Sequence, residues 1–303
     1  MTCVLMTTTA LTAIAMATGS WSDVSAQQRP VFSAAARLVP VSVTVRDEHG
    51  KPVVGLSQAD FEVLSDDRAQ EITEFRSEPS ALTTALLVDN SGSMRVSSGS
   101  EDVAETAHHL VSWMTPGTDR IGVFAFDTSF TQTSPFAAVS TDSLAGLKMA
   151  SPFGATSLYD AVDATSVALV REGSPRRAVV AITDGVDNAS TLTAEEVGMR
   201  AAAIDVPVYI VAVARRAGQS SDDMSSQPEH AALTALTTRT GGQLFVATGP
   251  SQASHAARTI ITELRQQYLL AFVPDSRPGW HRLTVRIRQP RMTARARAGY
   301  ITR

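Results

Sequence analysis

Between residues 80 and 267 short apolar runs alternate with segments of helical period, and this alternation constrains the fold more than any other feature of the chain. Strand-like runs fall at 85–88, 121–126, 178–182, 208–213 and 243–246. Helical patterns fall near 101–114, after Thr156, and near 194–203, 229–238 and 251–267. In the first of these Val103, Ala107, Leu110, Val111 and Met114 share one face. Strands that are apolar throughout must be covered on both sides, and a strand–helix alternation supplies that cover on a mostly parallel sheet. The expected fold is therefore α/β: a doubly wound, Rossmann-like domain over 80–267.

The flanks read differently. Val39, Val41, Val43 and Val45 alternate as in a half-buried strand, and Asp47-Glu48-His49-Gly50 is a turn signal. Short strand-like pieces follow at 52–56, 60–64 and 71–75, and others return at 268–272, 283–288 and 294–297. Neither flank alone has strands enough for independent stability. The segments 27–79 and 268–303 are expected to pair into one small β module, with the α/β domain inserted between them. From Arg277 to the end there are eight arginines and no Asp or Glu. On a β-rich tail these are read as a solvated strand face rather than a basic binding patch. The net charge of −4 over the whole chain gives no reason to expect nucleic acid as a partner.

The amino terminus is read as a signal peptide over residues 1–26. Cys3 to Ala17 is apolar or small but falls short of the roughly 20 apolar residues of a membrane span, and Val24-Ser25-Ala26 is a small-x-small cleavage pattern. The positive n-region is missing, since Arg29 is the first basic residue. Export, to the periplasm, cell surface or medium, is expected, with no transmembrane segment after signal removal. Cys3 is the only cysteine, so the chain can form neither an internal disulfide nor a cysteine zinc site.

The residues that carry chemistry stand at strand ends and helix starts. Asp89-Asn90-Ser91-Gly92-Ser93 follows the run ending at Val88, Gly154-Ala155-Thr156 opens a helix, and Thr183-Asp184-Gly185 follows the run ending at Ile182. In an open α/β sheet, positions just past the strand carboxyl ends share one crevice. Asp89, Ser91, Ser93, Thr156 and Asp184 can therefore converge, and all five offer oxygen. Oxygen donors alone select a hard cation, Mg²⁺ or else Mn²⁺ or Ca²⁺. Two carboxylates and three neutral hydroxyls leave positions for water and for one further anionic ligand. Taken singly, each piece is as readily a helix cap or a turn.

As an ordered set, Asp89-x-Ser91-x-Ser93, Thr156 and Asp184 resemble the metal-ion-dependent adhesion site of von Willebrand factor type A domains, over roughly 82–265. The resemblance implies a domain that holds a divalent ion and takes a Glu or Asp from a protein ligand, with a glycan as the alternative partner. Val45-x-Asp47-x-x-Gly50-x-Pro52-Val53-x-Gly55-Leu56, with Asp60-Phe61 and Arg297-x-Gly299-Tyr300, resembles exported bacterial proteins carrying such domains. Ala155 departs from the glycine common there.

Catalysis is not expected. A haloacid-dehalogenase-like phosphotransferase wants a second carboxylate where Ser91 stands and a lysine near the later motifs. No Gly-x-Ser-x-Gly elbow or phosphate-binding Gly-x-x-x-x-Gly-Lys loop is present. His108 and His109 diverge on a helix, and His230, His255 and His281 read as isolated. A metal-dependent hydrolase or phosphotransferase, or a scaffold whose metal is only structural, are the alternatives to a binding module. Residues 95–100 and 215–228 are candidate specificity loops on the same edge.

Overall fold

The computed structural model describes residues 38–92, 94, 99–145, 147, 154–213 and 228–302. Ser93, the signal-peptide segment and nearly all of the two candidate specificity loops lie outside them. The described residues belong to one compact unit.

The α/β domain is built on a six-stranded sheet. Its strands are β5 (Thr83–Asp89), β6 (Arg120–Phe126), β7 (Phe130–Ala138), β8 (Arg177–Thr183), β9 (Val208–Val213) and β10 (Leu244–Ala247), in the order β10-β9-β8-β5-β6-β7. All neighbours run parallel except the β6–β7 hairpin at the edge. β5, the central strand, is buried at every position. Side chains two apart leave the same face, so Leu86 and Val88 project to one side and Ala85 and Leu87 to the other. The first face packs against α1 (Gly99–Ser112) and α5 (Pro250–Gln266), through Val103, Leu110, Ile260 and Leu264. The second packs against α2 (Leu158–Val170), α3 (Ala194–Ala203) and α4 (Pro228–Thr240), through Leu158, Val162, Val197 and Leu233. This is the doubly wound arrangement expected.

The flanking segments interleave. One four-stranded sheet has the order β13 (Thr293–Arg295), β1 (Val39–Arg46), β11 (Tyr268–Phe272), β4 (Ile72–Arg76). The other has β14 (Gly299–Thr302), β12 (Gly279–Ile287), β2 (Phe61–Ser65), β3 (Arg68–Gln70). Every pairing between β1 or β2 and its neighbours β11, β12 or β13 joins the amino-terminal flank to the carboxyl-terminal one. Val41, Val43, Phe61, Tyr268, Phe272 and Tyr300 form the core between the sheets. Residues 52–56, expected as a strand, contribute only an isolated bridge between Pro52 and Arg46. β3, β7 and β14 had no counterpart in the expected elements.

The two halves share a charged, buried seam. β1 turns its valines to the sandwich core and its hydroxyls the other way: Ser42 Oγ donates to Asp205 Oδ2 at 3.0 Å, in the turn after α3. Glu263 on α5 is fully buried and ion-paired with Arg46 of β1 and Arg295 of β13. Arg297, also buried, donates to Ala202 O at 2.6 Å and to Pro40 O, and pairs with Asp205 at 3.4 Å. Burial lowers the Arg297 pKa, and the Asp205 charge opposes that shift. The reading of the basic tail as a solvated face is corrected at these two positions: Arg295 and Arg297 meet acids from distant parts of the chain, whereas Arg277, Arg282, Arg286, Arg288 and Arg291 are exposed. His281 is corrected likewise. It is buried, its Nδ1 is 2.8 Å from Asp66 Oδ2, and its ring stacks on Tyr300.

Candidate functional site

Three loops meet at the carboxyl edge of the parallel strands. β5 ends in Asp89, which is fully buried. Its Oδ1 accepts from the Ser91 main-chain N–H at 2.8 Å, so the chain turns back at once and brings Ser91, also buried, beside it. The Ser91 side chain bonds the same carboxylate. Asp89 Oδ2 accepts from Thr183 Oγ1 at 2.6 Å, linking the ends of β5 and β8.

Gly92 N–H donates to Gly154 O at 3.1 Å, fastening the first loop to the second. A side chain on Gly92 would bring its Cβ within 3.3 Å of that same oxygen, and Gly154 has a φ of 102°, a conformation open to glycine. These two glycines set the approach that carries Thr156, 2% exposed, to the edge.

Asp184 follows β8 and is 5% exposed. Its Oδ1 accepts from Val186 N–H at 3.2 Å, while Oδ2 is buried with no hydrogen-bond partner among the described residues. The loop after Asp184 then straps the start of α2. Asn188 Oδ1 accepts from Thr156 N–H at 2.8 Å, and Thr156 O accepts from the N–H groups of Asn188 and Ala189. Asp187 and Ser190 accept from Tyr159 N–H, and Asp160 accepts from Thr191 and Leu192 N–H groups. Asp187, Asn188, Ser190 and Thr183 were missed in the sequence. Only the adjacency of Thr183 to Asp184 could have singled one of them out.

Asp89, Ser91, Thr156 and Asp184 thus stand on three loops tied to one another at one edge. Burial raises the Asp89 carboxyl from its usual 3.8 to about 6; hydrogen bonds from Ser91 and Thr183 oppose that, and the Asp184 charge adds to it. Two carboxylates that repel each other, one with a buried oxygen unpaired among the described residues, are costly without a positive partner. Among the described residues no three of His, Cys, Asp or Glu lie close enough to hold a metal. The donors here are two carboxylates and hydroxyls, a set that fits a hard, oxygen-seeking dication rather than a soft one.

The doubly wound sheet with an acid-and-hydroxyl cluster at its carboxyl edge defines an open α/β domain, and family comparison gives its type. The model of the von Willebrand factor type A domain matches residues 84–186, and the chain carries a domain of that type. No curated protein sequence matches it. Among solved structures, an aerotolerance-related membrane protein of Bacteroides fragilis is 16% identical with a TM-score of 0.47, covering 60% of this chain and 99% of that one. The conserved hypothetical protein BatB of Bacteroides thetaiotaomicron is 15% identical with a TM-score of 0.48, covering 61% and 98%. A von Willebrand factor type A protein of Catenulispora acidiphila is 11% identical with a TM-score of 0.47, covering 89% and 75%.

Proposed function

We propose that the type A domain is a metal-dependent recognition module of an exported protein, not an enzyme. Mg²⁺, or Mn²⁺ or Ca²⁺, is held by Asp89, Ser91, Ser93, Thr156 and Asp184, some of them through water. A protein ligand completes the coordination with an Asp or Glu, and a glycan is the alternative. The observation that carries this reading is the buried Asp184 Oδ2, without a hydrogen-bond partner among the described residues, on the edge where Asp89 is also buried. Magnesium asks for about six oxygens in near-octahedral array and keeps waters readily, so a set of this size leaves room for a ligand carboxylate. Among the described residues no helix is long and apolar enough to cross a membrane. Export rests on the leader pattern of the sequence.

The test is a pull-down from the native host with wild type and Asp184→Asn, each in Mg²⁺ and in EDTA. Partner capture should need both Mg²⁺ and the intact carboxylate. Capture unaffected by chelator and by the substitution would overturn the reading, and Mg²⁺-dependent turnover of p-nitrophenyl phosphate would replace it with an enzymatic one.

A further inference from the structure

β5 and β8 run side by side in parallel, with Val88 opposite Ile182. One residue further, Asp89 and Thr183 stand abreast as the last residues of the two strands. Side chains alternate between the faces of a sheet, so both leave the face that also carries Leu87 and Ala181. Neighbouring strands lie about 4.8 Å apart, close enough for a short hydroxyl to reach a short carboxylate. Thr183 is fully buried, so it acts on the site through its neighbours and not by touching a ligand.

A threonine at a strand end often only braces the turn that follows. Thr183 does this: its Oγ1 accepts from Gly185 N–H at 3.1 Å, spanning Asp184. Gly185 has a φ of 87°, in the left-handed region, and a Cβ there would stand 3.3 Å from Leu233 Cδ1. Bracing that turn uses a lone pair of the hydroxyl and leaves its proton free. The proton goes to Asp89 Oδ2 at 2.6 Å, within the range of a hydroxyl bonded to a charged carboxylate. Asp89 Oδ1 is held separately, by Ser91 N–H at 2.8 Å. A carboxylate turns about its last bond with little preference, and hydrogen bonds to both oxygens fix its plane.

We infer that Thr183 is a positioning residue of the metal site: its one hydroxyl fixes the Asp89 carboxylate relative to the turn that carries Asp184. This rests on the proposed metal reading. The two carboxylates come from strands whose ends are 94 residues apart in the chain, and the hydroxyl joins them with one bond to each side. A small dication such as Mg²⁺ holds its ligands in near-octahedral array, so a carboxylate left free to turn is a poorer ligand. Bracing the turn needs only the oxygen of Thr183, whereas orienting Asp89 needs the proton.

The test is isothermal titration of Mg²⁺ into chelator-stripped full-length wild type, Thr183→Val and Thr183→Ser, with the unfolding midpoint of each measured in EDTA. Thr183→Val keeps nearly the same shape without the hydroxyl and should bind Mg²⁺ roughly 10–100-fold more weakly, the usual effect of removing a group that orients a metal ligand. Thr183→Ser keeps the hydroxyl and should bind nearly as the wild type does, whatever its midpoint. Thr183→Ala carries the same expectation as Thr183→Val should the valine variant not fold. A residue that only braced the fold would lower the midpoint in EDTA and leave the Mg²⁺ affinity of the folded protein alone. Unchanged affinity in Thr183→Val, equal weakening in Thr183→Ser, or failure of both hydroxyl-free variants to fold overturns this inference alone. Absence of Mg²⁺ binding by the wild type overturns it together with the metal reading.

Discussion

Replacing Asp89 with Asn should stabilise the metal-free protein while destroying its metal site. The rise of the Asp89 carboxyl from 3.8 to about 6 is a burden borne only by the folded state. At about 1.36 kcal/mol per pH unit it amounts to roughly 3 kcal/mol at pH 7. Asn keeps the oxygen that accepts from Ser91 N–H but replaces the acceptor used by Thr183 Oγ1, a loss of about 1 kcal/mol. The net gain is about 2 kcal/mol, or roughly 4–8 °C in midpoint for a unit of this size.

Because the folded value lies above the unfolded one, the wild-type carboxyl does no harm below about pH 4. Its cost grows as pH rises through 4 to 6 and is level above. The difference between Asp89→Asn and wild type, followed by thermal and urea unfolding in EDTA, should widen over that window. Added Mg²⁺ at pH 7 should then raise the wild-type midpoint and leave the variant's unchanged. An Asp89→Asn protein no more stable than wild type in EDTA at pH 7 would show that the buried charge is not a burden on the fold.

The seam between the halves gives a second prediction. Glu263→Ala leaves Arg46 and Arg295 facing each other without their acid, and calorimetry should find a loss of about 3 kcal/mol. Gly242→Ala would place a methyl 1.9 Å from Val208 O, a main-chain atom that cannot swing aside, so soluble yield or midpoint should fall sharply. Asp66 is held below its usual value first by its hydrogen bond to His281, then by Arg282 N–H. Its stabilising contribution is therefore present above the unfolded value near pH 4 and vanishes as pH falls through the lower folded one. The stability difference between wild type and Asp66→Asn should shrink on acidification; a constant difference would refute that.

Much of the architecture was legible because burial leaves a local signature. The runs at 208–213 and 268–272 coincide with β9 and β11, strands apolar enough to be read without their neighbours. β7 was not legible: Phe-Thr-Gln-Thr-Ser-Pro-Phe-Ala-Ala is mixed in character and half exposed, as an edge strand can be, and carries a proline. Residues 52–56 misled in the other direction, since valines beside Pro52 imitate a strand that Gly55, at a φ of 82°, interrupts. The placement of Asp89 and Asp184 at one sheet edge was legible, because a strand end fixes where each one stands. The Asn188 strap and the pairing of Arg295 with Glu263 were not, because each depends on partners 32 residues apart in both cases. No local pattern separates a clamping arginine from a solvated one.

One divalent ion should bind at the edge formed by β5, β8 and the start of α2. Isothermal titration of Mg²⁺ into chelator-stripped wild type and Asp184→Asn, with circular dichroism confirming that both are folded, tests it most directly. The wild type should show one saturable site and the variant none. A wild type that takes up no Mg²⁺, Mn²⁺ or Ca²⁺, or a variant that binds as well as the wild type, would contradict it.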